Sequence, residues 1–226
     1  EHVVLPGLIN THHHMYQSLT RSHPQAINKE LFPWLKTLLP YWARLTPESH
    51  RLATRLALTE LLMSGCTTAA DHHYLIPRGC ENAIDIQVEE ARAIGMRVMI
   101  SRGSMDLSKK DGGMPPDSTV QDLDTILADC ERVIGLYHQR GEGAFTQIAL
   151  APCTPFTVSR KLMLETAALA EKHDCRLHTH IAETRDEVDY CMQHFGHRPV
   201  DYMEDVGWLS NRVWLAHGIH FSDGEI

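Results

Sequence analysis

The chain has 226 residues, 43% hydrophobic and 22% charged, with a formal net charge of −8. Such a composition buries a substantial core and excludes a disordered chain, and the acidic balance excludes a nucleic-acid binder built on a basic surface. No apolar run approaches the roughly 18 residues of a membrane-spanning helix and nothing resembles a signal peptide, so a cytoplasmic protein without a membrane partner is expected.

In chain order, Glu1-His2 runs without an initiator Met into the first apolar stretch, residues 3–10. Further apolar runs follow at 67–71, 97–102, 146–151, 176–181 and 213–217. They are rich in Val, Ile, Leu and Ala and lack strict polar alternation, which predicts parallel strands buried on both faces. Amphipathic stretches between them predict helices at 47–64, 81–94, 120–140, 159–173, 185–195 and 200–205. The first of these opens on a Thr46-Pro47-Glu48 cap and stops at Gly65. Residues 28–46 form an insertion holding Phe32, Trp34, Tyr41 and Trp42, which would either roof a pocket or join a homo-oligomer interface. Residues 109–116 (KKDGGMPP) predict a mobile loop. The chain closes on Ser222-Asp223-Gly224-Glu225-Ile226, which reads as the opening of a helix, so residues 1–226 are taken as a piece of a longer protein.

Strands alternating with helices predict an α/β fold of βαβ units, and six of them suggest a (β/α)8 TIM-type barrel that stops after strand six. A doubly wound sheet is the alternative, but no GxGxxG loop follows the first strand. The six cysteines, at 66, 80, 130, 153, 175 and 191, lie 14 to 50 residues apart without a CxxC, so free thiols are expected.

Histidine is the outlier, with 16 copies. His12, His13 and His14 follow the first apolar run. On a strand, His12 and His14 would share a side and His13 would point away. Two imidazoles at the carboxyl end of a barrel strand suit a metal ion, because barrel active sites sit at that end. Residues 177–183 (LHTHIAE) repeat the pattern, with His180 as the better ligand and His178 lining the barrel below it. Glu183, three residues on, would reach a water or a substrate nitrogen, unless it serves as a helix N-cap carboxylate beside Thr184. His217 ends the sixth run beside Gly218, and His220 is assigned to the rim. Asp71-His72-His73-Tyr74, ending the second strand, is ambiguous, and a direct metal role is not favoured for it. The remaining histidines (2, 23, 50, 138, 173, 194, 197) are expected at the surface.

The set predicts one divalent ion per chain held by His12, His14 and His180, with Zn2+ preferred and Fe2+ the alternative. Such an ion lowers the pKa of a bound water to about 7. Glu183 would carry the proton and His217 would stabilise the developing charge. Gln17, one helical turn past His14, would read an oxo/NH ring edge, because its amide both donates and accepts.

These residues in this order resemble the amidohydrolase superfamily: the PGxxxxHxH opening, the HxxE of the fifth strand and the histidine of the sixth. Residues 6–21 (PGLINTHHHMYQSLTR), 42–48 (WARLTPE), 64–72 (SGCTTAADH), 101–105 (SRGSM), 151–159 (APCTPFTVS) and 177–183 resemble the aminohydrolase branch that holds the 8-oxoguanine deaminases and triazine hydrolases. The resemblance implies a distorted (β/α)8 barrel flanked by a β-sandwich made from chain ends outside this sequence. It implies a further metal-binding Asp beyond Ile226 and a small heterocyclic substrate. The implied reaction is deamination of a 2-amino-oxo-purine, 8-oxoguanine to urate and ammonia. A pterin deaminase or an s-triazine amino- or chlorohydrolase is the alternative within that chemistry, and a non-catalytic metal-binding barrel is the alternative outside it.

Overall fold

The computed structural model describes residues 2–226 and leaves Glu1 outside the described residues. Six strands form one sheet: β1 (Leu8–Asn10), β2 (Cys66–His73), β3 (Arg97–Ser104), β4 (Thr146–Pro152), β5 (Arg176–Ile181) and β6 (Val213–His217). Every neighbouring pair is parallel and the spatial order is the chain order. That order excludes the doubly wound alternative, whose strand order reverses at a switch point. It is the order of an α/β barrel wall, left open between β1 and β6, which are the two edges of the sheet.

Seven α-helices accompany the strands: α1 (Leu31–Trp42), α2 (Pro47–Met63), α3 (Ala83–Ile94), α4 (Leu123–Tyr137), α5 (Arg160–His173), α6 (Arg185–Phe195) and α7 (Pro199–Asp205). Local chemistry sets their starts. Thr46 Oγ1 accepts from Ser49 N at 3.2 Å, and Ser49 Oγ accepts from Thr46 N at 2.8 Å, a capping box ahead of Pro47. Asp122, Ser159 and Thr184 cap α4, α5 and α6 with a side-chain oxygen that accepts a backbone N–H of the first turn. The main core lies between sheet and helices, where Ala69, Ile100, Ile148, Leu150 and Leu177 meet Leu58, Ile84, Val88, Ile126, Val133 and Leu162. All six cysteines are free and buried.

One expectation needs correction, and two others gain detail. The first strand has only three residues, and Val3, Val4 and Leu5 before it are more than three-quarters exposed. As an edge strand β1 has one neighbour, so its apolar residues lack the burial that the inner strands β2 to β5 enjoy. His12 to His14 therefore lie beyond the strand, with His14 at the start of a 3-10 turn, Met15–Thr20. The insertion at 28–46 contains helix α1, held over the carboxyl ends of the strands by a second apolar cluster of Tyr16, Leu38, Leu39, Trp42, Tyr74, Leu75, Met105 and Cys153. Residues 109–116 form a loop with a short turn inside it. Lys109–Asp111 forms a 3-10 turn capped by Ser108, and Lys109 N donates to Pro115 O at 3.0 Å.

Candidate metal centre and active site

The loop after β1 is gripped from β2. Buried Asp71 accepts Met15 N–H at 2.7 Å and Gln87 Nε2 at 2.6 Å, and His72 N donates to His13 O at 2.7 Å. These contacts set the direction of His12 and His14 without a strand. His13 turns away toward Asp71, 3.9 Å from its carboxylate, as the alternation argument expects. Gly103 lets β3 pass close to the end of β2, since a Cβ there would lie 2.5 Å from His73 O.

The ring nitrogens of His12, His14 and His180 come together within 4.8 Å. Carbonyl oxygens only accept, so their partners define the tautomers. His14 Nδ1 faces His72 O at 2.7 Å and His180 Nδ1 faces Cys153 O at 2.8 Å, so both Nδ1 atoms carry the hydrogen. The bare Nε2 atoms of these two residues then lie 3.0 Å apart. Two lone pairs at that distance repel unless a cation sits against both. Protonation does not supply it: desolvation, then the neighbouring histidines, lowers His14 to about 3, and burial with the same neighbours holds His180 well below its ordinary value. His12 is lowered to about 4, chiefly by desolvation and then by His217. Three neutral imidazoles with converging lone pairs fit a divalent transition metal.

A second histidine group, His12, His72 and His178, lies beside the first. Its His12–His178 contact, at 2.7 Å, is a hydrogen bond. Two nitrogens on one tetrahedral zinc would stand about 3.3 Å apart, given zinc–nitrogen bonds of about 2.0 to 2.1 Å. The first group is therefore the better fit to a metal ion. His72 packs face to face on His180, with centroids 4.4 Å apart, and bonds Ala151 O through Nε2 at 3.1 Å.

Glu183 and His217 complete the site from β5 and β6. His217 Nε2 lies 3.4 Å from Glu183 Oε2, and the His217 and His180 rings stack 5.4 Å apart. Thr184, not Glu183, caps α6. Buried Glu187 accepts from the backbone N–H groups of both Ala182 and Glu183, at 3.0 and 2.9 Å, and so orients the turn that carries Glu183. Burial raises the Glu183 carboxyl to about 7.

A cavity of about 240 Å³ opens over these groups. Its polar lining includes His12, His14, Gln17, Tyr74, Thr154, His180, Glu183 and His217. Its apolar walls come from α1 (Trp34, Leu35, Leu39), Met105, Met114, Pro115 and Phe156. Gln17 Nε2 lies 3.3 Å from Tyr16 OH and 3.4 Å from Tyr74 OH. Every residue singled out for the site thus faces one space. Sequence reasoning gave no site role to Tyr74, Cys153 or Leu35, whereas Trp34 lies in the segment expected to roof a pocket. Tyr74 carried one usable signal, its place directly after a strand-end histidine pair. His50, expected at the surface, is fully buried: its Nε2 meets Ala83 O at 3.1 Å and its ring packs 4.4 Å from His73.

Comparison with known proteins adds to this geometry. The model of the amidohydrolase family matches residues 3–226. The chain is 64% identical over its whole length to an 8-oxoguanine deaminase of Pseudomonas aeruginosa, covering 50% of that protein. It is 34% identical to an isoxanthopterin deaminase from an unknown prokaryotic organism, covering 99% of this chain and 47% of the relative. The solved structure of an atrazine chlorohydrolase from Arthrobacter aurescens TC1, complexed with zinc, superposes with a TM-score of 0.92 at 34% identity, over 98% of this chain and 50% of that one. The chain thus spans about half the length of the relatives it matches, and its six parallel strands form an open part of a barrel wall. A family pattern running through nearly every residue, on a wall of strands with histidines gathered at its carboxyl edge, has one reading: the chain belongs to the amidohydrolase family.

Proposed function

We propose that the protein of which this chain is part is a metal-dependent deaminase of a 2-amino-oxo-purine, converting 8-oxoguanine and water to urate and ammonia. The observation that carries this reading is the meeting of three neutral histidine nitrogens with a carboxyl raised to about 7, in one partly apolar cavity. The identity of 64% to an 8-oxoguanine deaminase supports the choice of ring. His12, His14 and His180 would hold one Zn2+, with Fe2+ as the alternative. The ion supplies a Lewis acid that makes water an effective nucleophile at neutral pH.

Glu183 accepts the proton that the attacking water sheds and delivers it to the ring nitrogen beside the amine-bearing carbon. It then takes the proton of the new hydroxyl, as that oxygen becomes the oxo group, and hands it to the departing ammonia. A carboxyl with a pKa near the working pH suits both directions of that transfer. His217 stabilises charge developing near the attacked carbon. The roof of α1 and Phe156 covers the flat faces of the ring and excludes water. With the Gln17 amide nitrogen turned toward two tyrosine hydroxyls, Oε1 is the atom left for the ring. Gln17 therefore accepts from a ring N–H, and the oxo groups find their donors elsewhere.

Ammonia release by the full-length protein from 8-oxoguanine, isoxanthopterin and an s-triazine, together with elemental analysis of protein purified without chelators, tests this. Turnover of 8-oxoguanine in preference, with about one zinc or iron per chain, is expected. Turnover of the pterin or triazine instead would overturn the substrate, and metal-free protein that gains nothing from added Zn2+ would overturn the mechanism.

A further inference from the structure

His178 faces no substrate, since the cavity is lined by His180 and not by it. It is nevertheless buried, at 1% exposure, and both of its ring nitrogens are engaged. Nδ1 lies 2.7 Å from Trp214 O, an acceptor, so Nδ1 carries the hydrogen and Nε2 is a bare lone pair. That lone pair lies 2.7 Å from His12 Nδ1, which must then be the donor. A His12 protonated at Nδ1 presents its own lone pair from Nε2. Direction is thus handed along a chain: the Trp214 carbonyl orients His178, and His178 sets the tautomer and ring angle of His12.

Two further contacts stiffen the arrangement. The Trp214 indole stacks on the His178 ring at 4.2 Å with the planes only 8° apart. The Trp214 Nε1–H reaches 3.2 Å to Thr11 O, on the residue before His12. The clasp therefore holds both the side chain of His12 and the backbone next to it. It also joins β6 to the loop after β1, across the open edge of the sheet where no strand-to-strand ladder ties those elements.

We propose that His178 is a positioning residue for the metal centre, which fixes His12 as the Nδ1–H tautomer with Nε2 directed at the ion. The proposal rests on the metal reading above. A hydrogen-bond partner behind a metal-binding histidine is worth about 10- to 100-fold in metal affinity.

The test is zinc affinity of the full-length protein by competition with a chromogenic chelator, with the visible spectrum of the Co2+-loaded protein as a second readout. His178→Phe keeps the ring and its stack on Trp214 but removes the acceptor. It should weaken zinc binding by about 10- to 100-fold and alter the cobalt spectrum, while the melting temperature of the metal-free protein stays close to wild type. His178→Gln keeps an acceptor near the Nε2 position and should recover most of the affinity, which holds the test open if the phenylalanine variant does not fold. Wild-type affinity and spectrum in His178→Phe would overturn the proposal and leave the metal centre standing. Equal losses in both variants would overturn it too, because ring shape and not the acceptor would then matter. A wild-type protein that binds neither zinc nor cobalt would overturn the metal reading itself and this proposal with it.

Discussion

Ala182 and His217 adopt left-handed backbone angles, φ 51° and 74°, that side chains resist at a cost of about 1 to 3 kcal/mol each. Both sit where a strand gives way to its loop. Gly218 N donates to Ile181 O at 2.9 Å and His220 N to Ala182 O at 3.0 Å, so neighbouring strand ends hold each other in these turns. The result is the facing pair of Glu183 and His217. Glu183→Gln keeps the shape and removes the proton carrier. Turnover should fall by at least about 100-fold, the usual worth of acid–base catalysis, with metal content unchanged. Loss of metal along with activity would make Glu183 a ligand. Gln17→Leu removes the acceptor for a ring N–H, and an unpaired group in a closed pocket costs about 1 to 3 kcal/mol. The kcat/KM on 8-oxoguanine should fall by about 5- to 150-fold. A ring without that N–H should lose less, and equal losses on both rings would show that Gln17 only supports the loop.

Among the elements, α1 shows how a segment without a distinctive local pattern acquires a role from its packing. Leu38, Leu39 and Trp42 are buried against Tyr16, Tyr74 and Met105, and the same helix sets Trp34 and Leu35 over the cavity. The aromatic content of residues 28–46 was legible, but the choice between roof and interface needed the position of β2 and β3 beneath it. At the far end, α7 is tied to the last residues through Glu225. Its carboxylate accepts from Arg198 Nε and Nη2 at 2.9 and 2.6 Å and from the Ser222 backbone and hydroxyl, both at 2.8 Å. Desolvation pushes the carboxyl up, but the Arg198 and Ser222 bonds outweigh it and hold Glu225 at about 2. A folded pKa below the unfolded one means stability present above about 4.5 and lost as pH falls toward 2. The shift alone corresponds to about 3 kcal/mol, and solvent screening near the surface reduces this to about 1 to 2. Glu225→Gln should lower the melting temperature at pH 7, with the gap to wild type closing between about pH 4.5 and 2. A gap independent of pH would mean that the carboxylate charge contributes nothing.

At the scale of the whole molecule, β1 and β6 are unpaired on their outer sides. Ile9, Ala69, Met99 and Trp214 line an open, largely apolar hollow of about 330 Å³ between them. Open strand edges and exposed apolar surface recruit other chains. Residues 1–226 expressed alone should therefore self-associate, as read by light scattering during size exclusion, while the full-length protein should do so less. A monodisperse monomer at tens of micromolar would count against this.

Sequence alone determined the parallel α/β wall, because runs buried on both faces and capped amphipathic helices are written in neighbouring residues. It also determined His12, His14, His180, Glu183 and His217 as a set, because strand ends in this architecture open onto one edge. Tertiary structure alone decided that β1 stops after three residues, that His50 is buried on His73, that α1 covers the cavity, and that Asp71 and His178 stand behind the loop of His12 and His14. Each of these depends on a contact between residues far apart in the chain, 166 positions in the case of His12 and His178. A local pattern carries the face a residue presents, but not the partner that the folded chain brings to that face.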